Sequence, residues 1–235
     1  GFQAIASYTW SHSIDIASND STANLPALAG YDARLDRASS DFDVRHSLTA
    51  AVTYDVPALF KNGVGSALLR GWSLQTLFSA RTAAPVDIFS RRDSEFGTFN
   101  LRPDPVAGVP VYLSDPQAPG GRRINPAAFA VPTADRQGTL GRNALRGFPF
   151  TQIDLSLHRR FALTERVGLQ FRMEVFNLLN HPNFGDPVND LSSDEFGRAN
   201  AMLGRSLSAT NNTGFNPLFQ AGGPRAVQFA LKLQF

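Results

Sequence analysis

Residues 226–235 alternate without a break. Val227, Phe229, Leu231, Leu233 and Phe235 share one parity, and Ala226, Gln228, Ala230, Lys232 and Gln234 share the other. A period of two puts one set on each face of a strand, one face apolar and the other polar. The same pattern recurs upstream. In "FQAIASYTWSHSI", Phe2, Ala4, Ala6, Tyr8 and Trp10 oppose Gln3, Ser7, Thr9 and Ser11, with Ile5 out of phase. In "DFDVRHSLTAAVTYDV", Phe42, Val44, Leu48, Ala50, Val52, Tyr54 and Val56 oppose Asp41, Asp43, Arg45, Ser47, Thr49, Thr53 and Asp55. "RGWSLQTLFSAR" sets Trp72, Leu74, Phe78 and Ala80 against Ser73, Gln75, Ser79 and Arg81. "TQIDLSLHRRF" sets Ile153, Leu155, Leu157 and Phe161 against Gln152, Asp154, Ser156, His158 and Arg160. "RVGLQFRMEVF" sets Val167, Leu169, Phe171, Met173 and Val175 against Gly168, Gln170, Arg172 and Glu174. The pattern predicts an all-β chain of about six strands, longer than the roughly 5–6 residues usual in soluble domains.

The connections follow a rhythm. A long polar stretch, 15–40, joins the first two strands. A shorter turn around "PALFKNGVGS" joins the next two. A Pro/Gly-rich stretch, 90–149, leads to the fourth strand, and only "LTE" separates the fourth from the fifth. The last connection, 181–224, is long again. Loops of this length are uncommon in compact domains. They are expected in an antiparallel up-and-down transmembrane β-barrel, with long extracellular loops and short periplasmic turns. In that arrangement the final strand runs downward and the C-terminus lies on the periplasmic side. A soluble β-sandwich or lipocalin-like binder is the competing reading of the alternation. Charge favours the barrel. On the apolar parity of the fourth strand and at the entry to the last, the charged residues are Arg159 and Arg225. Both fall near strand ends, where a lipid-facing Arg costs about 0–1 kcal/mol instead of about 2–4 at the midplane. Tyr8, Trp10, Tyr54, Trp72, Phe161 and Phe235 also fall near strand ends, as interfacial aromatics do.

Composition narrows the chemistry. The chain has 235 residues and no cysteine, which excludes disulfides, Cys-type zinc sites and thiol catalysis. No apolar run reaches the roughly 18 residues of a membrane helix. The net charge of +2 rests on scattered arginines, so no nucleic-acid face is predicted. No nucleophile elbow, zincin or P-loop motif is present, and no enzyme activity, cofactor or metal site is expected. "GDPVNDLSSDEFG" gathers Asp186, Asn189, Asp190, Asp194 and Glu195; lacking EF-hand spacing, it reads as Asx turns in a loop and not as a calcium site. The pairs Arg91–Arg92 and Arg122–Arg123 either attract anionic lipopolysaccharide or are solvated loop charge. Asp154, His158, Arg160, Arg172 and Glu174 share a polar face, which in a barrel lines the lumen.

Several of these stretches resemble one family. "FRMEVFNLLNHPNFGDP" resembles the penultimate-strand signature of TonB-dependent outer-membrane receptors. "SDFDVRHSLTAAVTYDVP", "NPAAFAVP…GTLGRNALRGFPFTQIDLSLHRRF" and "GGPRAVQFALKLQF" are similar to its Oar-like subgroup, which joins a carboxypeptidase-regulatory-like domain, a plug and a barrel. The resemblance covers nearly the whole chain. It implies that residues 1–235 are the C-terminal part of a barrel of about 22 strands, a fragment without plug or N-terminal strands, in a bacterial outer membrane. It implies TonB-dependent uptake of a bulky nutrient, with surface structural or adhesive work by the same barrel as the alternative. The implied partners are outer-membrane lipid and lipopolysaccharide, the barrel-assembly machinery, the TonB complex through the missing N-terminal part, and an unidentified nutrient. Val227, Phe229, Leu231, Leu233 and Phe235 form the segment that the assembly machinery reads in this family.

Overall fold

The computed structural model describes residues 1–18, 33–57, 70–94, 97–133, 136–206 and 221–235. Each alternating segment forms a strand: β1 (Phe2–Trp10), β2 (His46–Asp55), β3 (Trp72–Arg81), β4 (Phe150–Ala162), β5 (Gly168–Phe176) and β6 (Ala226–Gln234). They build one six-stranded sheet in chain order, antiparallel throughout, with β1 and β6 as its edges. Two strands begin or end differently from the expectation. The alternation of the first segment runs on past Trp10, and that of the second starts before His46, yet both flanks leave the sheet. The cause is Asp43, whose side chain is turned inward to arginines instead of lying along a strand face.

The register carries the apolar parity intact across the sheet. Ala6 lies opposite Ala50, and Ala50 opposite Phe78. Phe78 then meets Ile153. Nearer the other end, Leu157 meets Met173, and Met173 meets Phe229. Cross-strand partners share a face, so the sheet has one continuous apolar face and one polar face. Among the described residues no second layer covers the apolar face: Phe2, Trp10, Phe229 and Leu231 are all well exposed.

All the long connections, 11–45, 82–149 and 177–225, leave the same end of the sheet, and the short ones, 56–71 and 163–167, leave the other. The "PALFKNGVGS" turn lies largely outside the described residues. The 163–167 turn is closed by Thr164, whose hydroxyl accepts from the Val167 and Arg166 amides as Ser and Thr commonly do in turns.

The described parts of the long connections are folded. They carry short two-stranded ladders, such as Tyr112–Ser114 with Arg122–Ile124 and Asp104–Pro105 with Phe129–Ala130. Their apolar residues make the core of the molecule: Val86, Ile88, Ile124, Ala128, Phe129, Leu145 and Phe196, with Leu140 and Leu191 packed against them. Ile88 is only 1% exposed, and burying a side chain of that size is worth about 1.5–3 kcal/mol. Phe129 and Phe196 meet edge to face at 6.0 Å. Gly197 lets the last connection approach the middle one: its N–H donates to Val188, its carbonyl accepts from the Ile124 amide, and its φ is +79°. A side chain there would start 2.3 Å from the Ile124 carbonyl oxygen, so only glycine fits. The sheet is therefore a bare wall with a cored cap at one end.

Candidate functional site

The described residues offer two places where function can reside: the polar face of the wall and the cap above it. On the polar face, His158 lies opposite Arg172, Ser156 opposite Glu174 and Arg160 opposite Gln170. Arg172 and Glu174, two apart on β5, form an ion pair at 3.6 Å. Both are partly exposed, where such a pair contributes about 0–1 kcal/mol. Asp154 shares the face but serves the cap end. It accepts from Gln152 Nε2 at 2.8 Å and from the Asn177 amide at 2.8 Å. Asp154 thus lies at the cap end of the polar face, held by the β5 exit, while His158, Arg160, Arg172 and Glu174 lie toward the turn. The polar face also carries an apolar row, Ile5 opposite Ala51 opposite Leu77, so Ile5 is out of phase in the sequence because it belongs to this row.

On the apolar face, Arg159 lies over the rings of Phe161 at 4.4 Å and Trp72 at 5.4 Å. Trp72 meets Phe171 edge to face, and Phe171 meets Phe229. The guanidinium is thus shielded by aromatic faces that attract cations, at the turn end of the sheet. Tyr54 and Phe161 sit at that same end, while Tyr8 and Trp10 sit at the cap end, with Tyr8 Oη hydrogen bonded to His46 Nδ1 at 2.7 Å. The alternating residues of the last strand, Val227, Phe229, Leu231 and Leu233, lie on the apolar face. Phe235 follows β6 at the turn end and is almost fully exposed.

Two polar nodes seat the cap on the strand ends, and the sequence reading missed both. The first is built by Asn177 and Asn183 of the penultimate-strand motif, both essentially unexposed. Asn177 takes a φ of +49°, a conformation Asn tolerates, and its Nδ2 donates to the His181 and Gly223 carbonyls. Asn183 Oδ1 accepts from the Thr151 amide. Gln152 Oε1 accepts from Gly222. Together they tie the starts of β4 and β6 to the end of β5. A run of asparagines at a strand exit was the available signal, since buried amides in loops satisfy backbone groups.

The second node is ionic. Asp43 is fully buried, and its carboxylate accepts from Arg146 at 2.7 Å, Arg45 Nε at 2.8 Å and the Ser13 amide at 2.9 Å. Arg142 donates to Asp15, to the Asp15 carbonyl and to the Asp36 carbonyl. Arg102 pairs with Asp36, both below a tenth exposed. Asn143, at φ +55°, reaches Asp41 and the Ser39 carbonyl. Asp41, Asp43 and Arg45 belong to "SDFDVRHS", and Arg142, Asn143 and Arg146 to "GRNALRGF": the two motifs bind each other, and Ser13, Asp15, Asp36 and Arg102 join them. Burial alone would raise the Asp43 carboxyl, but the bonds from Arg146, the Ser13 amide and Arg45 outweigh it and hold the group well below the usual carboxylate range. Asp87 goes the other way. Its burial raises it, and the Asn143 amide with the Arg102 and Arg142 charges offsets this only in part. Partnered carboxylates of this kind build structure, and nothing poises them as an acid–base pair.

The loop charges singled out by sequence are likewise engaged. Arg91 pairs with Asp190 at 3.1 Å, and Asp190 also accepts from the Ser192 amide, an Asx turn. Arg92 donates to the Pro132 carbonyl. Arg122 is stacked between Tyr112 and Phe148, and Arg123 pairs with Asp115.

Comparison with known proteins adds one match. A family profile described as "Outer membrane beta barrel domain" matches residues 1–216, which span β1 to β5 and most of the last connection. A search of curated proteins and a search of solved structures each return no match.

Proposed function

The chain belongs to the outer membrane β-barrel domain family, and we propose that it is one sector of a larger barrel of the TonB-dependent receptor type, of the Oar-like subgroup. Domains of this family are structural or transport elements, not enzymes. The observation that carries the reading is the sheet itself: six neighbours in chain order, one continuous apolar face with no layer over it among the described residues, and every long connection at one end. Six strands do not close a barrel, since the smallest bacterial ones have about eight. Further strands continue from the β1 and β6 edges, the apolar face meets lipid, and the polar face with His158, Arg160, Arg172 and Glu174 lines the lumen. The cap then faces outward, and the C-terminus lies at the periplasmic side. The barrel takes up a bulky nutrient under TonB coupling.

The first test is the native protein in purified outer membranes, run with and without boiling. A heat-shifting band about three to four times the mass of this chain supports a complete barrel with its plug; an unshifted band of this chain's size in the soluble fraction refutes the membrane reading. Nutrient accumulation is then compared with and without TonB. Uptake that ignores TonB turns the reading to a surface structural or adhesive barrel. Val227, Phe229, Leu231, Leu233 and Phe235 are proposed as the assembly signal, since a free strand edge invites strand addition. Deleting Phe235 is expected to slow insertion of the full protein, and unchanged surface yield over time removes that role.

A further inference from the structure

Two kinds of contact hold the cap together. The connections 82–149 and 177–225 share the apolar cluster around Ile88, Ile124, Phe129 and Phe196. The described stretches of the first connection, 11–18 and 33–45, place no side chain in that cluster. Their large apolar side chains face outward, with Ile14, Ile16, Leu35 and Phe42 between 42% and 65% exposed. What they turn toward the cap is carboxylate. Asp15 meets Arg142, Asp36 meets Arg102 and Asp43 meets Arg146, and all three arginines come from the 82–149 connection.

We propose that residues 11–18 and 33–45 form an electrostatically latched strap, which unfolds as one unit, its own hydrogen bonds included, while the apolar-cored layer beneath it stays folded. Local opening is governed by the contacts it breaks. Opening the strap exchanges ion pairs and hydrogen bonds for water and gives up little apolar burial. Opening the layer beneath exposes Ile88, Ile124 and Phe129 to water, which is opposed by the hydrophobic effect. The open state presents Arg102, Arg142 and Arg146 together as a cationic surface. The proposal rests on the cap's contacts and goes beyond the uptake reading.

The test is hydrogen exchange at residue resolution on the native protein carrying this chain, in detergent micelles, over graded urea. The Ser13, Ser40 and Asp43 amides report the strap, since their partners are Asp43 Oδ1, the Ser13 carbonyl and the Ser40 carbonyl. The Ile124, Ala128 and Leu140 amides, bonded to Gly197, Asn125 and Pro103, report the layer beneath. In the unmutated protein the strap reporters are expected to exchange together and at least about 100-fold faster than the layer beneath. Arg142→Gln is expected to speed the strap by about 100-fold more, because it strands buried partners, and to leave the layer beneath within about threefold. Exchange of both layers as one unit, or equal acceleration of both by Arg142→Gln, overturns the proposal. The urea series on the unmutated protein decides the matter even if the variant fails to fold. Strand amides report separately: loss of their protection counts against the barrel, not against the strap.

Discussion

The sheet and the cap solve the same problem in opposite ways. Both contain large apolar side chains; the cap buries its own in protein, while most of those on the sheet's apolar face stand open. Phe129 is packed against Phe196 inside the cap, whereas Phe229, equally large, stands open on the sheet face. Charges show the reverse. The sheet keeps its Arg172–Glu174 pair partly in water, while the cap buries Asp36 and Asp43 against arginines. An element that depends on another medium for its apolar face needs little internal core, and one that stands in water must supply its own. That difference is what the proposed lipid-facing wall with a water-facing cap requires.

Four perturbations break or sharpen this contrast, the largest first. Phe129→Ala should destabilise the cap by about 3–5 kcal/mol, read as faster exchange of cap amides, while Phe229→Ala should cost the sheet far less. Equal losses would mean that the sheet face is buried by a further protein layer. Arg102→Met leaves the Asp36 carboxylate buried without its partner and should cost about 3–5 kcal/mol of cap stability, measured by urea unfolding in micelles. A cost near zero would show that water reaches the pair. Leu155→Arg, mid-strand on the apolar face, should cost about 2–4 kcal/mol in a bilayer, and Gln75→Arg on the opposite face close to none. Similar costs for the two would remove the lipid-facing assignment. The smallest effect belongs to Asp104, whose bond to the Arg136 guanidinium, with the Thr139 amide, holds its pKa at about 2, below the ordinary 3.8. A depressed carboxyl stabilises the fold above its unfolded pKa, so this contribution is present above pH 3.8 and fades as pH falls toward 2. Asp104→Asn should flatten that part of the unfolding midpoint's pH dependence. An unchanged slope would assign it to other carboxyls.

The strands were legible because period two is a strong signal and most positions of each face keep one character across the sheet. Even Ile5 announced itself as an exception before Ala51 and Leu77 explained it. The cap was legible only as length. Its core residues, such as Val86, Ile88 and Leu145, are separated by Pro, Gly and polar residues without a period, and nothing local marks Ile124 as the partner of Gly197. The node residues were visible as motifs but not as contacts, because Asp43 continues a strand-like alternation and only its distant arginines turn it inward. The bond from the Asn177 amide to Asp154 was not legible either: alternation reports facing, not which backbone amide lies within reach.

The Arg142–Asp15 contact also has a consequence in time. It joins residues 127 apart in sequence, whereas β4 and β5 are joined by a turn of a few residues. Short closures form early and long ones late, since loop entropy must be met before a distant contact rewards it. The strap therefore seats only after β2, β3 and β4 have aligned. A one-residue slip of β4 would turn its side chains to the other face and carry Arg146, just ahead of it, out of reach of Asp43. On this proposal, docking of the strap follows the pairing of β2, β3 and β4 and checks that they paired in the correct register.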